Sequence, residues 1–272
     1  MCNFALQNVG QFIRKLFPRF HQFELEIDDC MKIVPYLIGK EFEKRIQERE
    51  SNMRSKRFIL SIILNILIVI LVVVGTVVML QPRHGANGAV LASRGWRNLR
   101  YFTVLSNEFC GIISLSWLIV EIRGKVFPPI LKLMSVAAVG LTFVMITFFL
   151  APLNPGRNLY QGANLWFHLI VPVAAMIEFI VLDAHILPVK KTLITALPSL
   201  LYGLGYLINI LINGIGEGRN SNDWYGFLTW GYGTGFMIFA LILLMNWLIA
   251  CLMQLLNKLF QKIMLFFTII RL

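Results

Sequence analysis

Long apolar blocks dominate the chain, and each is separated from the next by charges, prolines or turn residues. The first block, residues 58–80, contains no charged residue over its whole length. At about 1.5 Å of rise per residue, such a block crosses the ~30 Å hydrocarbon core of a bilayer as a helix. The pattern predicts six spans, at about 58–80, 101–122, 131–151, 164–186, 193–213 and 227–256.

The composition agrees with this pattern. Hydrophobic residues make up 57% of the 272 positions and charged residues only 14%, with a mean hydropathy of +0.71. Soluble domains are about 45–50% apolar, so a soluble globular protein is excluded. Continuous blocks, in place of alternating residues, exclude a transmembrane barrel, and four cysteines are too few for a disulfide scaffold. The sequence therefore predicts an all-α, polytopic membrane helical bundle.

The charges orient this bundle. The net charge is +11, and most lysines and arginines flank the blocks on one side, among them Arg123, Lys125 and Lys132. By the positive-inside rule, both termini are predicted to be cytoplasmic in a multi-pass protein of the cell membrane. Residues 1–57 are interpreted as a basic amphipathic region at the membrane surface, with a partner-binding scaffold as the alternative, and residues 257–272 as an amphipathic cytoplasmic tail. Anionic lipid explains the positive charge more simply than nucleic acid, so lipids are the expected partners.

The hypothesis of catalysis depends on two polar side chains inside the spans. The second and fourth spans both begin on the predicted outer side, which places Thr103 and His168 at depths that differ by only ~3 Å. A hydroxyl and an imidazole at matching depth can act as nucleophile and general base in attack on an ester carbonyl. The alternative is structural: a threonine that bonds the carbonyl of its own helix and an interior histidine with satisfied hydrogen bonds.

A resemblance supports the chemical hypothesis. Residues 100–107 (RYFTVLSN), 164–172 (NLWFHLIVP) and 174–179 (AAMIEF) resemble the androgen-induced (FAR-17a-like, Pr6Pr) membrane-protein family. The similarity covers roughly residues 95–190. It implies a multi-pass threonine hydrolase that cleaves fatty acid esters of hydroxy fatty acids, with Thr103 matching the family's nucleophile and His168 its histidine.

Two asparagines flank the candidate pair. Asn107 lies one turn below Thr103, and Asn164 lies one turn above His168. We predict that they orient the imidazole or donate to an oxyanion, with ordinary interhelical hydrogen bonds as the alternative.

Three arginines lie at the outer mouth of the predicted bundle. Arg97, Arg100 and Arg157 are predicted to hold the carboxylate or phosphate of a lipid-like substrate, with unselective headgroup contact as the alternative. Trp224 and Tyr225 are interpreted as part of an interfacial aromatic belt.

No metal or other cofactor is expected. His168 and His185 are ~25 Å apart on one predicted helix, so they cannot share a metal ion. The sequence thus predicts a membrane hydrolase of lipid-like esters. The rival prediction is a non-enzymatic transporter or lipid-binding protein with the same polar cavity, which would depend on Glu108, Glu178 or Asp183 instead of Thr103.

Overall fold

The computed structural model describes residues 44, 47–48, 51–52, 55–81, 95–156, 158–183, 185–216, 221–228 and 231–270. Within these ranges, six helices are long and apolar enough to cross a membrane, and no strand occurs. The predicted helical bundle is therefore confirmed, while the cytoplasmic placement of the termini stays a prediction. Most of the predicted surface region 1–57 lies outside the described residues.

The six helices alternate in direction through the bundle. Their bounds are α1 Ser55–Leu80, α2 Phe102–Ile122, α3 Pro129–Leu153, α4 Ala163–Leu182, α5 Val189–Asn213 and α6 Tyr232–Ile270. A 3-10 helix, Gly95–Arg100, leads into α2. Helices α2, α4 and α6 begin at what we call the Thr103 end, and helices α1, α3 and α5 begin at the opposite, Lys132 end.

The fourth helix ends earlier than the sequence predicts. It stops at Leu182, four residues before the expected boundary, because Asp183 adopts an extended conformation. The Asp183 carboxylate accepts a hydrogen bond from the backbone N–H of His185 at 2.7 Å. Hydrogen bonding to the same carboxylate raises the pKa of the His185 imidazole. Asp183 and His185 therefore lie in the connection between α4 and α5.

The last helix also differs from its predicted bounds. It begins at Tyr232, because the Asp223 carboxylate accepts the N–H groups of Phe227 and Leu228 and holds that segment as a turn. It then continues to Ile270 through the predicted tail, where no glycine or proline interrupts the helical pattern. By internal contacts the chain divides into Phe58–Asn257 and a second unit made of residues 1–57 and 258–272.

The core of the larger unit forms around α3, the most buried of the six helices. Its apolar side chains meet others from α1, α2, α4 and α6, including Ile68, Val72, Cys110, Leu133, Val136, Val139, Phe179 and Ala250. Near the Thr103 end, α1 and α4 approach closely at Gly75, where a Cβ would lie 2.7 Å from the Phe167 ring. Such close approach through a small residue is typical of membrane helices.

Two of the helices contain a widened, π-helical turn at the Thr103 end. The turns are Met145–Leu150 in α3 and Trp166–Ile170 in α4. Each ends two residues before a proline, Pro152 or Pro172. Proline lacks an N–H and its ring clashes with the carbonyl four residues earlier, and a wider turn relieves both conflicts. The second π turn contains His168.

Candidate functional site

His168 is held by the connection that precedes its helix. Its Nδ1 lies 2.6 Å from the carbonyl oxygen of Leu159, and the imidazole is buried, with 5% of its surface exposed. Because a carbonyl only accepts, Nδ1 must carry the hydrogen, and a neutral ring then presents Nε2 as its acceptor. This is the tautomer that a general base acting through Nε2 requires.

The connection itself is folded by short-range hydrogen bonds. The side-chain oxygen of Asn158 accepts the N–H of Tyr160 at 2.9 Å, which is an Asx turn. The Tyr160 hydroxyl reaches Thr147 in the π turn of α3 at 2.9 Å, and its ring packs edge-on against the imidazole. These contacts fix the Leu159 carbonyl that orients His168.

Asn107 joins the Thr103 segment of α2 to the π turn of α4. In that turn, the N–H of Val171 bonds to the carbonyl of Trp166. The next carbonyl, of Phe167, would need an N–H from residue 172, which is a proline. Asn107 Nδ2 supplies the missing donor at 2.9 Å, and it also donates to the Thr103 carbonyl at 2.7 Å. The predicted alternative role of Asn107, an interhelical hydrogen bond, is what the structure contains.

Asn107 relates the backbones of the two candidate catalytic residues. One nitrogen, Asn107 Nδ2, donates to the carbonyls of both Thr103 and Phe167, so the backbone just before His168 lies within a few ångströms of the Thr103 backbone. Among the described residues, no hydrogen bond joins Thr103 Oγ1 to His168. Whether the two side chains act together therefore stays a hypothesis.

A cavity of about 240 Å³ lies beside Thr103, enclosed by α2, α3, α5, α6 and the segment before α6. Apolar and aromatic side chains form most of its wall, and its hydroxyls come from Thr103, Thr142, Ser199 and tyrosines. His168 is not among the residues of this wall. The cavity therefore suits an apolar ligand and exposes it to the Thr103 hydroxyl.

The other predicted site residues have separate environments. Asn164 is buried with its Oδ1 unpartnered, and the described residues include no hydrogen bond from it to His168. Arg97 is exposed. The guanidinium of Arg100 lies 5.0 Å and 5.4 Å from the ring centres of Tyr101 and Trp224, so it takes part in cation–π contacts.

Arg157 lies outside the described residues. Tyr225, expected in an aromatic belt, instead forms part of the cavity wall, and its hydroxyl accepts the N–H of Phe102 at 2.8 Å.

A second polar site lies nearer the Lys132 end and was not predicted. Lys132, expected among the flanking charges, is buried with 3% of its side chain exposed, and its Nζ lies 3.0 Å from the carboxylate of Glu178. The ammonium also donates to Asn65 Oδ1 and lies 5.5 Å from the centre of the Trp117 ring. Four membrane helices thus surround one buried ion pair.

The carboxylate of this pair accepts two further hydrogen bonds through one of its oxygens. Glu178 Oε1 accepts from Ser61 Oγ at 2.7 Å and from Asn65 Nδ2 at 2.8 Å. A single apolar span would insert either charge alone at a cost of ~2.5–3.5 kcal/mol. Glu178 was the signal for this site in the sequence, because a carboxylate inside a membrane span requires a partner. Lys132 was missed because it lies close to a predicted helix end, where a lysine is typical of the cytoplasmic side.

We predict that Asn107 and Pro172 are coupled in stability. Asn107→Ala should lower the free energy of unfolding by about 1–3 kcal/mol, because it leaves a buried carbonyl without a donor. Pro172→Ala should reduce this loss, since it restores a backbone N–H in the same turn. Unfolding in mixed micelles titrated with dodecyl sulfate measures the double-mutant cycle. Asn154→Ala, which removes an exposed hydrogen bond to Leu150, is the control. The coupling would be contradicted if Asn107→Ala lowered the free energy of unfolding equally in proteins with and without Pro172.

These features define a multi-pass integral membrane protein with a largely apolar cavity whose wall includes Thr103. The described residues contain no group of three side chains that could hold a metal ion. No protein-family model, curated protein or solved structure matches the chain. The resemblance to the androgen-induced family therefore depends on the short segments 100–107, 164–172 and 174–179.

Proposed function

We propose that this protein is an intramembrane hydrolase of lipid-like esters, with Thr103 as nucleophile and His168 as general base. The observation that carries the proposal is the pair of hydrogen bonds from Asn107 to the carbonyls of Thr103 and Phe167. They hold the backbone of Thr103, which belongs to the wall of an apolar cavity, beside the carbonyl that precedes His168. A π turn at His168 adds support, because such turns are frequent at functional sites.

The first half of the proposed reaction forms an acyl-threonine. Thr103 Oγ1 attacks the ester carbonyl carbon while Nε2 of His168 accepts the hydroxyl proton, directly or through one water. The tetrahedral intermediate collapses, the ester C–O bond breaks, and the imidazolium returns the proton to the departing alkoxide. Catalytic contacts are commonly longer before substrate binds, so a preformed hydrogen bond is not required.

The second half releases the acid. Water attacks the acyl carbon, His168 accepts its proton, and the carbon–Thr103 bond breaks with return of that proton to the threonine. The products are a carboxylic acid and an alcohol, and the residues regain their initial protonation. Leu159 keeps the imidazole in one orientation throughout, since its carbonyl stabilises the N–H of both the neutral ring and the imidazolium.

Covalent labelling tests the nucleophile. We expect an activated alkyl phosphonate to modify purified full-length protein at Thr103, detected by peptide mass spectrometry, and we expect Thr103→Ala to remove the adduct. Thr234→Ala, at an exposed threonine of α6, is the matched control and should be labelled as the native chain is. Undiminished labelling of the Thr103→Ala protein would exclude Thr103 as the nucleophile.

A second candidate function is lipid binding without catalysis. It is favoured by the absence of His168 from the described cavity wall, which is dominated by apolar and aromatic side chains. A transport function through Glu178 is less favoured, because its carboxylate is already paired with Lys132. Ligand binding that survives Thr103→Ala, in a protein with no ester turnover, would identify the binding function.

A further inference from the structure

The cavity is elongated along the bundle. On α5 its wall extends from residue 199 to residue 210, and on α6 from residue 232 to residue 242. At about 1.5 Å of rise per residue, both walls are roughly 15–16 Å long. The cavity volume is about 240 Å³, and apolar and aromatic side chains form most of the wall along this length. This shape fits one extended hydrocarbon chain better than a wide, fused-ring molecule.

The cavity also opens sideways. Leu204, Tyr232 and Phe236 belong to its wall, and they are exposed by 44%, 53% and 58% on the surface of the bundle. In a membrane this surface faces lipid, so a chain can enter between α5 and α6 without crossing the polar interface. These exposed wall residues mark the place of lateral entry.

Phe239 bounds the cavity where α5 and α6 come closest. A Cβ on Gly203 would lie 1.9 Å from the Phe239 ring, so this ring occupies the space that only a glycine leaves. Both residues belong to the wall. One turn earlier in α5, Ser199 accepts a hydrogen bond from Asn246 at 2.7 Å, which also joins α5 to α6. The space available to a ligand therefore depends on the Phe239 side chain.

We infer that this cavity binds a single unbranched hydrocarbon chain that enters from the bilayer, and that Phe239, seated on Gly203, determines how much of the chain fits. C–C bonds of about 1.5 Å give an extended chain of this length on the order of a dozen carbons. The inference rests on the proposed function only where it takes the bound hydrocarbon chain to be part of the ester that is hydrolysed. Because the bilayer is as apolar as the cavity, packing against the wall decides occupancy: each additional methylene that fits should raise it, and each one beyond the limit should add nothing.

Photocrosslinking in nanodiscs tests this inference. The probes are free fatty acids from octanoic to hexadecanoic acid with a terminal diazirine, at equal mole fraction. We expect labelling of wall residues on α5 and α6 to rise with chain length and reach a maximum near dodecanoic acid. Phe239→Ala should move the maximum to longer chains, and Gly203→Ala, which displaces the ring, should change it as well.

Matched controls keep the result specific. Phe267→Ala, at an exposed phenylalanine of the same helix, and Gly205→Ala, where a Cβ meets nothing within 4 Å, should leave the maximum unchanged. Labelling without a maximum, equal to that of lipid-facing Leu201 and Leu248, would overturn the inference, as would an unmoved maximum in Phe239→Ala. Free acids need no hydrolysis, so the maximum does not depend on ester turnover. Chain binding without turnover would then contradict only the proposed hydrolase.

Discussion

A full-length protein that carries His168→Asn is expected to hydrolyse a lipid-like ester about 10²–10⁴-fold more slowly than the native protein. Asparagine keeps an N–H donor close to the backbone, so it can still bond to the Leu159 carbonyl that holds His168. It has no basic nitrogen in place of Nε2, so it cannot accept the proton from Thr103. The change therefore removes the basic nitrogen and keeps the hydrogen bond to Leu159.

The measurement is the initial rate of ester hydrolysis by purified protein in nanodiscs, together with the melting temperature of each variant. His185→Asn is the matched control, because His185 lies beyond α4 at the other end and pairs with Asp183. We expect native turnover from the control and a melting temperature close to native from both variants. Native turnover from His168→Asn would remove the general-base role, whatever the result for Thr103.

The second large effect is expected at the buried ion pair. Lys132→Met should lower the free energy of unfolding by about 3–5 kcal/mol, because it leaves the Glu178 carboxylate buried without its cation. Adding Glu178→Gln should recover most of this loss, although it removes the second charge. Glutamine retains an oxygen for Ser61 and Asn65, and its NH₂ group can donate to the Asn65 oxygen that Lys132 bonds in the native protein.

Unfolding in mixed micelles titrated with dodecyl sulfate measures the four members of this cycle. Lys125→Met, at an exposed lysine seven residues earlier, should change the unfolding free energy by no more than about 0.5 kcal/mol. A double variant as unstable as the sum of the single variants would show that the two charges do not stabilise each other. A recovered double variant that still hydrolyses ester would show that the pair serves architecture alone.

The spans could be predicted from the sequence because apolar length is sufficient evidence of a membrane helix. The first helix illustrates this, since residues 58–80 have no charge and α1 ends at Leu80 as predicted. Helix ends were less predictable. The fourth helix ends where Asp183 turns the backbone, and the last begins only after Asp223 has closed its turn. These side chains determine the backbone conformation of only a few neighbouring residues, whereas hydropathy is an average over a whole span.

The environments of the site residues required the three-dimensional structure. Asn107 and Thr103 share a helix, and their spacing placed them on one face in advance. That Asn107 satisfies a carbonyl freed by Pro172 depends on a π turn, which the average helical period does not reveal. Lys132 was misplaced for a similar reason, because a lysine one turn inside a helix has the same sequence pattern as one at its boundary. Only the position of Glu178 across the bundle distinguishes them.

The π turn in α4 also rotates the second half of that helix around its axis relative to the first half. A π turn holds one residue more than an α turn, and one residue corresponds to about 100° of rotation around the axis. His168 and Glu178 each face their own partners because that extra residue lies between the start of the helix and the ion pair. Loss of a single residue from Trp166–Ile170 would keep every functional side chain in the sequence, yet it would rotate Glu178 away from Lys132. The number of residues in this helix therefore matters as much as their identity for the contacts of His168 and Glu178.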